Sequence, residues 1–480
     1  MTKKTDFQRI FFLDQHGCAK NQVDGELIIS ELATKGWTRT ENPEEASLII
    51  VNSCGFIESA KQESLNSVFE ASSYYPNAKI ILAGCLAERY HQDFAESLTE
   101  VAGIFGNGKI SAIGDFVENL FETSLDFKTQ NDIPKVQVFP QENVCDGNRL
   151  ELLNLPGSAY VKITEGCNNH CSFCAIPIIR GELRSRSIST IIEEIKSLLS
   201  KGIFEINLIG QDLASYGKGK NENSKVMAGF EKEKSPLATL LSEISKLSGD
   251  FWIRLLYIHP DNFPQDILPI ISADKRILPY FDIPFQSGDD KIILQMNRKG
   301  SAEKYINLVN MIRESQQDSF YSDVALRTTF LCGFPGETDE QAKNTVEFLT
   351  NIQSDWSGCF AYSQEEDTVA GEMKHQVSAK KSKARCDVLS NLQTQITQEK
   401  LKRHVGKIYR VLIEEVIPTD EEEGGIAIGR TWFQAPEVDG ATVINYDLDD
   451  EVSCKKIYAG NIVDVKIQGV SSVDVFGVLV

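Results

Sequence analysis

Three times near its N-terminus the chain runs through a short apolar stretch, stops at a cysteine with glycine beside it, and enters a helix-length segment. The stretches are FFLDQHGC, LIIVNSC and IILAGC, and they end at Cys18, Cys54 and Cys85. Short apolar runs alternating with helical periodicity read as buried strands of βα units. Such alternation implies a mostly parallel sheet with helices on its faces. We read strands at 9–16, 46–52 and 78–83, a helix at 21–35 and another from 57. In a parallel sheet the C-terminal strand ends share one edge, where ligands bind. Three thiols separated by 36 and 31 residues are thereby brought to one place. Gly17, Gly55 and Gly84 adjoin them, and glycine lets backbone approach a bulky group. Three buried structural thiols are the competing reading.

The stretch 126–155 is rich in Asn, Asp, Gln and Pro and reads as a linker. A second alternation follows, with strands expected at 160–164, 205–209, 252–258, 280–285, 325–332 and 358–362. Six such units make an open or partial parallel barrel, with chemistry at the C-terminal strand ends. Residues 217–236 read as a charged surface loop inserted in it, and 379–405 as a long polar helix. Short strands and turns fill the remainder, as in a small β-barrel or sandwich. The expected architecture is α/β: a Rossmann-like parallel-sheet domain at 1–125, the linker at 126–155, a partial (β/α)6 barrel at 156–392 and a small β-barrel at 403–480.

With 41% hydrophobic and 25% charged residues, the 480-residue chain has the balance of a soluble protein. No stretch approaches the roughly 18 apolar residues of a membrane span, and Ile10–Leu13 is too short for a signal-peptide core. A cytoplasmic location is expected, where the eleven cysteines would stay reduced. A net charge of −20 repels phosphate backbones and argues against direct nucleic-acid binding.

A second cysteine set lies in AYVKITEGCNNHCSFCAIPIIRG: Cys167, Cys171 and Cys174, spaced C-x3-C-x2-C directly after the first barrel strand. One loop so spaced wraps a metal centre, and its thiolates suit an iron–sulfur cluster, zinc or copper(I). His170 inside the loop would complete a zinc site, so spacing alone leaves both readings open. Gly333, Gly336 and Glu337 end a barrel strand and fit either a ligand contact or a tight turn. Cys145, Cys332, Cys359, Cys386 and Cys454 lack ligand-like spacing and are expected to be ordinary thiols.

With Phe173 as its aromatic, the C-x3-C-x-aromatic-x-C pattern resembles the signature of the radical S-adenosylmethionine enzymes. That resemblance implies that Cys167, Cys171 and Cys174 hold a 4Fe–4S cluster whose fourth iron chelates the amino and carboxylate groups of S-adenosylmethionine. Almost the whole chain resembles the methylthiotransferases among them, which join an N-terminal cluster domain, a radical core and a C-terminal TRAM domain. The segments HGCAKNQVDGE, VNSCGFIESAKQES, AGCLAERY, EGCNNHCSFCAIPIIRGELRSR, GFPGET and GRTWFQAPEVDG carry the likeness. It implies a second 4Fe–4S cluster on Cys18, Cys54 and Cys85.

Two branches compete. One modifies an adenosine in transfer RNA; the other, the RimO branch, modifies an aspartate of ribosomal protein S twelve. The pattern GC-x-KN-x-VD-x-E and the phrases CGFIESA and APEVDG look like the second branch, although Ala19, Gly210 and Ser287 depart from its usual residues. The implied reaction spends one S-adenosylmethionine on a 5′-deoxyadenosyl radical that takes hydrogen from the aspartate β-carbon. A second methylates the sulfur that the N-terminal cluster supplies. The implied partners are the ribosomal protein and an electron donor. From Arg403 to Val480, 7 Lys or Arg stand against 14 Asp or Glu, a balance that suits a basic protein better than RNA. The turn at Glu421, Glu422 and Glu423 reads either as a docking element or as a solvated hairpin tip.

Overall fold

The computed structural model describes residues 8–122, 135–141, 144, 146–220, 222–230, 233–418 and 424–480. Cys145 and Glu421, Glu422 and Glu423 lie outside the described residues.

The first sheet contains β1 (Ile10–Gln15), β2 (Thr38–Arg39), β3 (Leu48–Ser53), β4 (Lys79–Gly84), β5 (Gly103–Phe105) and β6 (Lys135–Gln137). Its order is β2-β1-β3-β4-β5-β6 and every pairing is parallel. Each residue of β3 and β4 is buried, as continuous apolar runs in a covered parallel sheet require. Helices α1 (Ala19–Thr34), α2 (Glu58–Tyr74), α3 (Cys85–Ser97) and α4 (Ile113–Glu122) accompany the sheet. The stretch read as a linker is therefore not only a connection. Its residues 135–137 pair with β5 and form the edge strand, held by backbone hydrogen bonds that a polar sequence makes as readily as an apolar one.

The second sheet contains β7 (Ser158–Lys162), β10 (Glu205–Ile209), β11 (Trp252–Leu255), β12 (Ile277–Asp282), β13 (Ala325–Cys332) and β14 (Trp356–Ala361), all parallel and in chain order from one edge to the other. This is the open six-unit barrel expected. Between β7 and β10 a two-stranded ribbon forms, β8 (Thr164–Glu165) antiparallel to β9 (Arg184–Ser185). It closes the neck of the loop that carries the second cysteine set and the short helix α5 (Ile176–Arg180). The described residues of segment 217–236 are mostly exposed, as a charged surface loop requires, but the segment is not wholly irregular or peripheral. It holds a helical turn at Asn223–Val226, and Val226 and Met227 are buried in the barrel's core.

A helix at Ala379–Leu401 packs along β13 and β14 and leads to a closed barrel of β15 (Ile408–Ile417), β16 (Gly425–Arg430), β17 (Thr442–Tyr446), β18 (Ile462–Ser471) and β19 (Asp474–Leu479). The segment after β16 hooks into the floor of the parallel barrel. The Trp356 indole donates to the Phe433 carbonyl at 2.8 Å, Arg254 to the Trp432 carbonyl at 2.8 Å, and the Tyr280 hydroxyl to Asp439 at 2.6 Å. Beneath them the Glu205 carboxylate pairs with Arg430 at 2.6 Å and Arg254 at 2.8 Å.

Helix α1 is buried along nearly its whole length, wedged between the first sheet and β7. Buried charge survives only when paired. Asp24 of α1 meets Lys162 at 2.5 Å and Arg180 at 2.9 Å, and Glu26 meets Arg149 at 2.5 Å. On the other side of the interface, Glu365 accepts from Lys61 at 3.0 Å and Arg89 at 2.8 Å. Among the described residues, no helix is long and apolar enough to cross a membrane.

Candidate active site

The three strand-end cysteines come together as the parallel sheet requires. Cys18 is the N-cap of α1, Cys54 follows β3, and Cys85 opens α3. Their glycine neighbours define how closely the backbones approach. A Cβ on Gly17, whose φ is +87°, would lie 3.1 Å from the Cys54 Cβ. One on Gly55 would lie 2.7 Å from the Cys85 carbonyl oxygen, and one on Gly84, at φ +89°, 2.6 Å from the Asn52 Oδ1. No larger residue fits where these backbones meet.

Electrostatics differ across the set. Burial pushes the Cys54 thiol up to about 12, helped by Cys85 beside it. Burial also raises Cys85, against the pull of Arg180. At Cys18 burial opposes ionisation, yet the thiol is held below its ordinary value by the charges of Lys20 and Arg180 and by the backbone N–H groups of Asn21 and Lys20. Cys18 is also the one of the three that is exposed.

The second set sits in the loop closed by β8 and β9. The Cys167 N–H donates to the Gly181 carbonyl at 3.1 Å and the Cys174 N–H to the Cys171 carbonyl at 3.0 Å, folding the loop back on itself. Phe173 packs against Ile292, Met296, Phe334 and Ala370. Asn169 locks the loop to the barrel: its Nδ2 donates to Asp212 at 2.8 Å, and its Oδ1 accepts from Asn262 at 2.9 Å. Burial pushes Cys167 up to about 11 and Cys174 up to about 12. His170, the residue weighed for zinc, is exposed, at φ +50°. A different histidine approaches the thiols: His259 Nε2 lies 3.9 Å from the Cys171 sulfur. Burial, then the nearby Arg298, lower His259 to about 4, so it is neutral at physiological pH.

The two sets face each other. Cys85 of the first packs against Ala175 and Ile179, which follow Cys174 of the second. Arg180, at the end of α5, donates to the Cys85 sulfur at 3.1 Å while Glu165 and Asp24 hold its guanidinium at 2.7 and 2.9 Å. Lys162 completes this buried group by pairing with Glu165 at 2.6 Å. Sequence reasoning missed these four charged residues. The available signal was a lysine and a glutamate within the apolar stretch AYVKITEG.

The donor sets suit iron–sulfur clusters. Each offers three thiols on closely apposed backbone, and N–H groups already point at sulfur. Besides Arg180, Asn107 donates to Cys85 at 3.7 Å and the Asn169 N–H to Cys167 at 3.5 Å, the kind of contact that tunes such a cluster. Among the described residues, no three His, Cys, Asp or Glu side chains converge as they would on a single metal ion.

Gly333, Gly336 and Glu337 form a turn. Gly333 and Gly336 have φ of +79° and +80°, and the Glu337 carboxylate accepts from the Gly333 N–H at 2.8 Å and from Arg385 at 2.6 Å. Cys332 and Cys386 are buried in the barrel's core.

Comparison with known proteins fits this geometry part by part. Residues 10–106 match the uncharacterized protein family UPF0004, 161–349 the radical SAM superfamily, and 405–480 the TRAM domain. Among solved structures, the radical S-adenosylmethionine methyltransferase TsrM from Kitasatospora setae, with cobalamin and a [4Fe-4S] cluster bound, shares the fold. Its TM-score is 0.52 at 13% identity, over 76% of this chain and 74% of that one. The ribosomal protein uS12 methylthiotransferase RimO of Treponema denticola is 51% identical over 98% of this chain and 100% of its own length. RimO of Natranaerobius thermophilus is 37% identical over 96% of this chain and 97% of its own. On identity sustained across all three domains, the chain belongs to the RimO family of radical S-adenosylmethionine methylthiotransferases.

Proposed function

We propose that this enzyme inserts a methylthio group at the β-carbon of an aspartate in ribosomal protein uS12, with two 4Fe–4S clusters held about one substrate site in the cytoplasm. Cys167, Cys171 and Cys174 would hold the cluster that binds S-adenosylmethionine; Cys18, Cys54 and Cys85 would hold the other. The observation that carries the two-cluster reading is the apposition of the sets, with Cys85 against Ala175 and Ile179 and bonded to Arg180. An unactivated C–H bond is beyond any side-chain acid or base, so the bound cofactors would supply the hydrogen-abstracting radical and the sulfur, and would relay the electron from an external donor.

The chain's own residues hold and shield. Asn169, Asp212 and Asn262 fix the core loop to the barrel, so the site is organised before substrate arrives. The Asp24–Lys162–Glu165–Arg180 group fixes the first domain on the core, so the spacing of the two sets does not drift. Cys85 is buried and Cys54, Cys167, Cys171 and Cys174 are half-buried, which limits water around reactive species. The acidic C-terminal domain supports a basic protein substrate, and an external electron donor is required.

The test separates the sets. Cys54→Ala should still cleave S-adenosylmethionine to 5′-deoxyadenosine but form no methylthio product on uS12 by mass spectrometry. Cys171→Ala should lose cleavage itself. A Cys54→Ala enzyme with a full core cluster and no cleavage would overturn this division of roles.

A further inference from the structure

We propose that Lys20 binds the side-chain carboxylate of the substrate aspartate and so positions its β-carbon between the two cysteine sets. The inference rests on the aspartate-modifying reading above and concerns how the target residue is held.

Lys20 lies in the first turn of α1, two residues beyond Cys18, and only 5% of it is exposed. Its Nζ stands 3.0 Å from the centroid of the Tyr257 ring. Tyr257 follows β11 at the edge of the barrel mouth, with φ +68° and its N–H donating to Asp282 at 3.1 Å. Lys20 thus spans from the first cysteine set to the barrel. Among the described residues, its ammonium has no hydrogen bond or ion pair; it rests on the aromatic face, and Cys18, Asp282 and Glu165 act on it only through their charge.

The carboxylates nearby are engaged with other cations. Asp24 and Glu165 are both shared by Lys162 and Arg180. Asp282 takes the Tyr257 N–H and Arg327. The buried cations Lys61, Arg149, Lys162, Arg180, Arg254 and Arg430 are each ion-paired, whereas Lys20 is buried without such a pair. An isolated buried ammonium is costly, and a ligand that brings a carboxylate relieves that cost.

The chemistry of the target matches. In aspartate the carboxyl carbon is bonded directly to the β-carbon. Anchoring the carboxylate therefore fixes the reacting C–H group one bond away, which is where orientation matters most. A nucleobase substrate offers no such anion at its reacting atom.

A structural role is the alternative: Lys20 could serve only the charge around Cys18, since its backbone N–H and its ammonium both favour that thiolate. The two roles separate by a substrate–enzyme double substitution. Reconstituted full-length enzyme is titrated with a labelled peptide spanning the uS12 target aspartate, and with the same peptide carrying asparagine there. Affinity is read by fluorescence anisotropy. Wild-type enzyme should prefer the aspartate peptide by roughly ten- to a hundredfold, the range for a hydrogen bond to a charged partner. Lys20→Gln should bind both peptides equally, and Lys20→Arg should keep the preference. If Lys20→Gln weakens both peptides in parallel and the ratio survives, the proposal fails. It also fails if wild-type enzyme shows no preference. Should Lys20→Gln bind neither peptide, Lys20→Arg decides by keeping the preference or losing it. Mass spectrometry of the aspartate peptide after turnover by wild-type enzyme tests the underlying reading separately.

Discussion

Replacing Glu205 by glutamine should loosen the C-terminal barrel from the core. The carboxylate is fully buried, where burial alone would raise its pKa, yet Arg430 and Arg254 hold it at about 2 against an ordinary 4.5. Each factor of ten in an ionisation constant is about 1.36 kcal/mol, so the two guanidiniums, after overcoming the effect of burial, leave the ionised form favoured by about 3 kcal/mol net. Breaking a buried ion pair by removing one partner costs a similar amount, about 3–5 kcal/mol. In the variant Arg254 is left with carbonyl partners at Thr431 and Trp432, and Arg430 with Glu414 and the Gln434 carbonyl. A multidomain chain has no single unfolding free energy, so the readout is local. Amide hydrogen exchange in β15 to β19 should quicken roughly a hundredfold in Glu205→Gln, while β3 and β4 stay as in wild type. The pH dependence has a definite sign. Because the folded pKa is depressed, the stabilisation is complete above 4.5 and is lost as pH falls from 4.5 towards 2. Wild-type protection factors in the C-terminal barrel, corrected for the intrinsic pH dependence of exchange, should fall through that window, and the variant should lack this component. Unchanged exchange in Glu205→Gln at neutral pH would refute the reasoning.

Anaerobically reconstituted enzyme should bind about eight irons, four per cluster, and the triple change of Cys167, Cys171 and Cys174 to alanine should leave about four by iron assay. One zinc and no charge-transfer absorption would end the cluster assignment. Gly84→Ala adds a Cβ 2.6 Å from Asn52 Oδ1 at a φ of +89°, so it should lose the first cluster selectively, dropping iron by about half while S-adenosylmethionine cleavage continues. Binding of uS12 should weaken as salt rises from about 0.05 to 0.5 M, because acidic docking is screened over about 10 Å at 0.1 M; salt-independent affinity would contradict charge-guided docking.

The alternation of β1, β3 and β4 with helices was legible because each strand carries a short apolar run, as in IFFL of β1 and LIIV of β3. Strands of the second sheet that are buried throughout, such as β11 and β12, were legible for the same reason; β14, with one buried residue in WSGCFA, carries a weaker pattern. The strand β6 was not: three residues at a sheet edge, Lys135, Val136 and Gln137, two of them exposed, carry no pattern. The six cysteines could be read from sequence because chemistry fixes both residue type and place, at strand ends or within one loop. Arg180, Lys162, Asp24 and Glu165 could not, since their pairings join residues as far as 156 positions apart and a charge reveals its burial only in the fold. The segment GRTWFQAPEVDG was read as a likeness; its physical role, plugging the parallel barrel through Arg430, Trp432 and Asp439, appears only once the C-terminal barrel is seated.

The pairing of α1 with residues far downstream also bears on how the chain is made. When Asp24 leaves the ribosome, its partner Lys162 is still 138 codons away. At roughly 5–20 residues per second that interval lasts about 7–28 s. Through it the nascent first sheet presents a helix whose carboxylates have no cations to meet. Vectorial synthesis therefore cannot finish the N-terminal domain by itself; the domain is completed when the first barrel strand emerges and delivers the lysine.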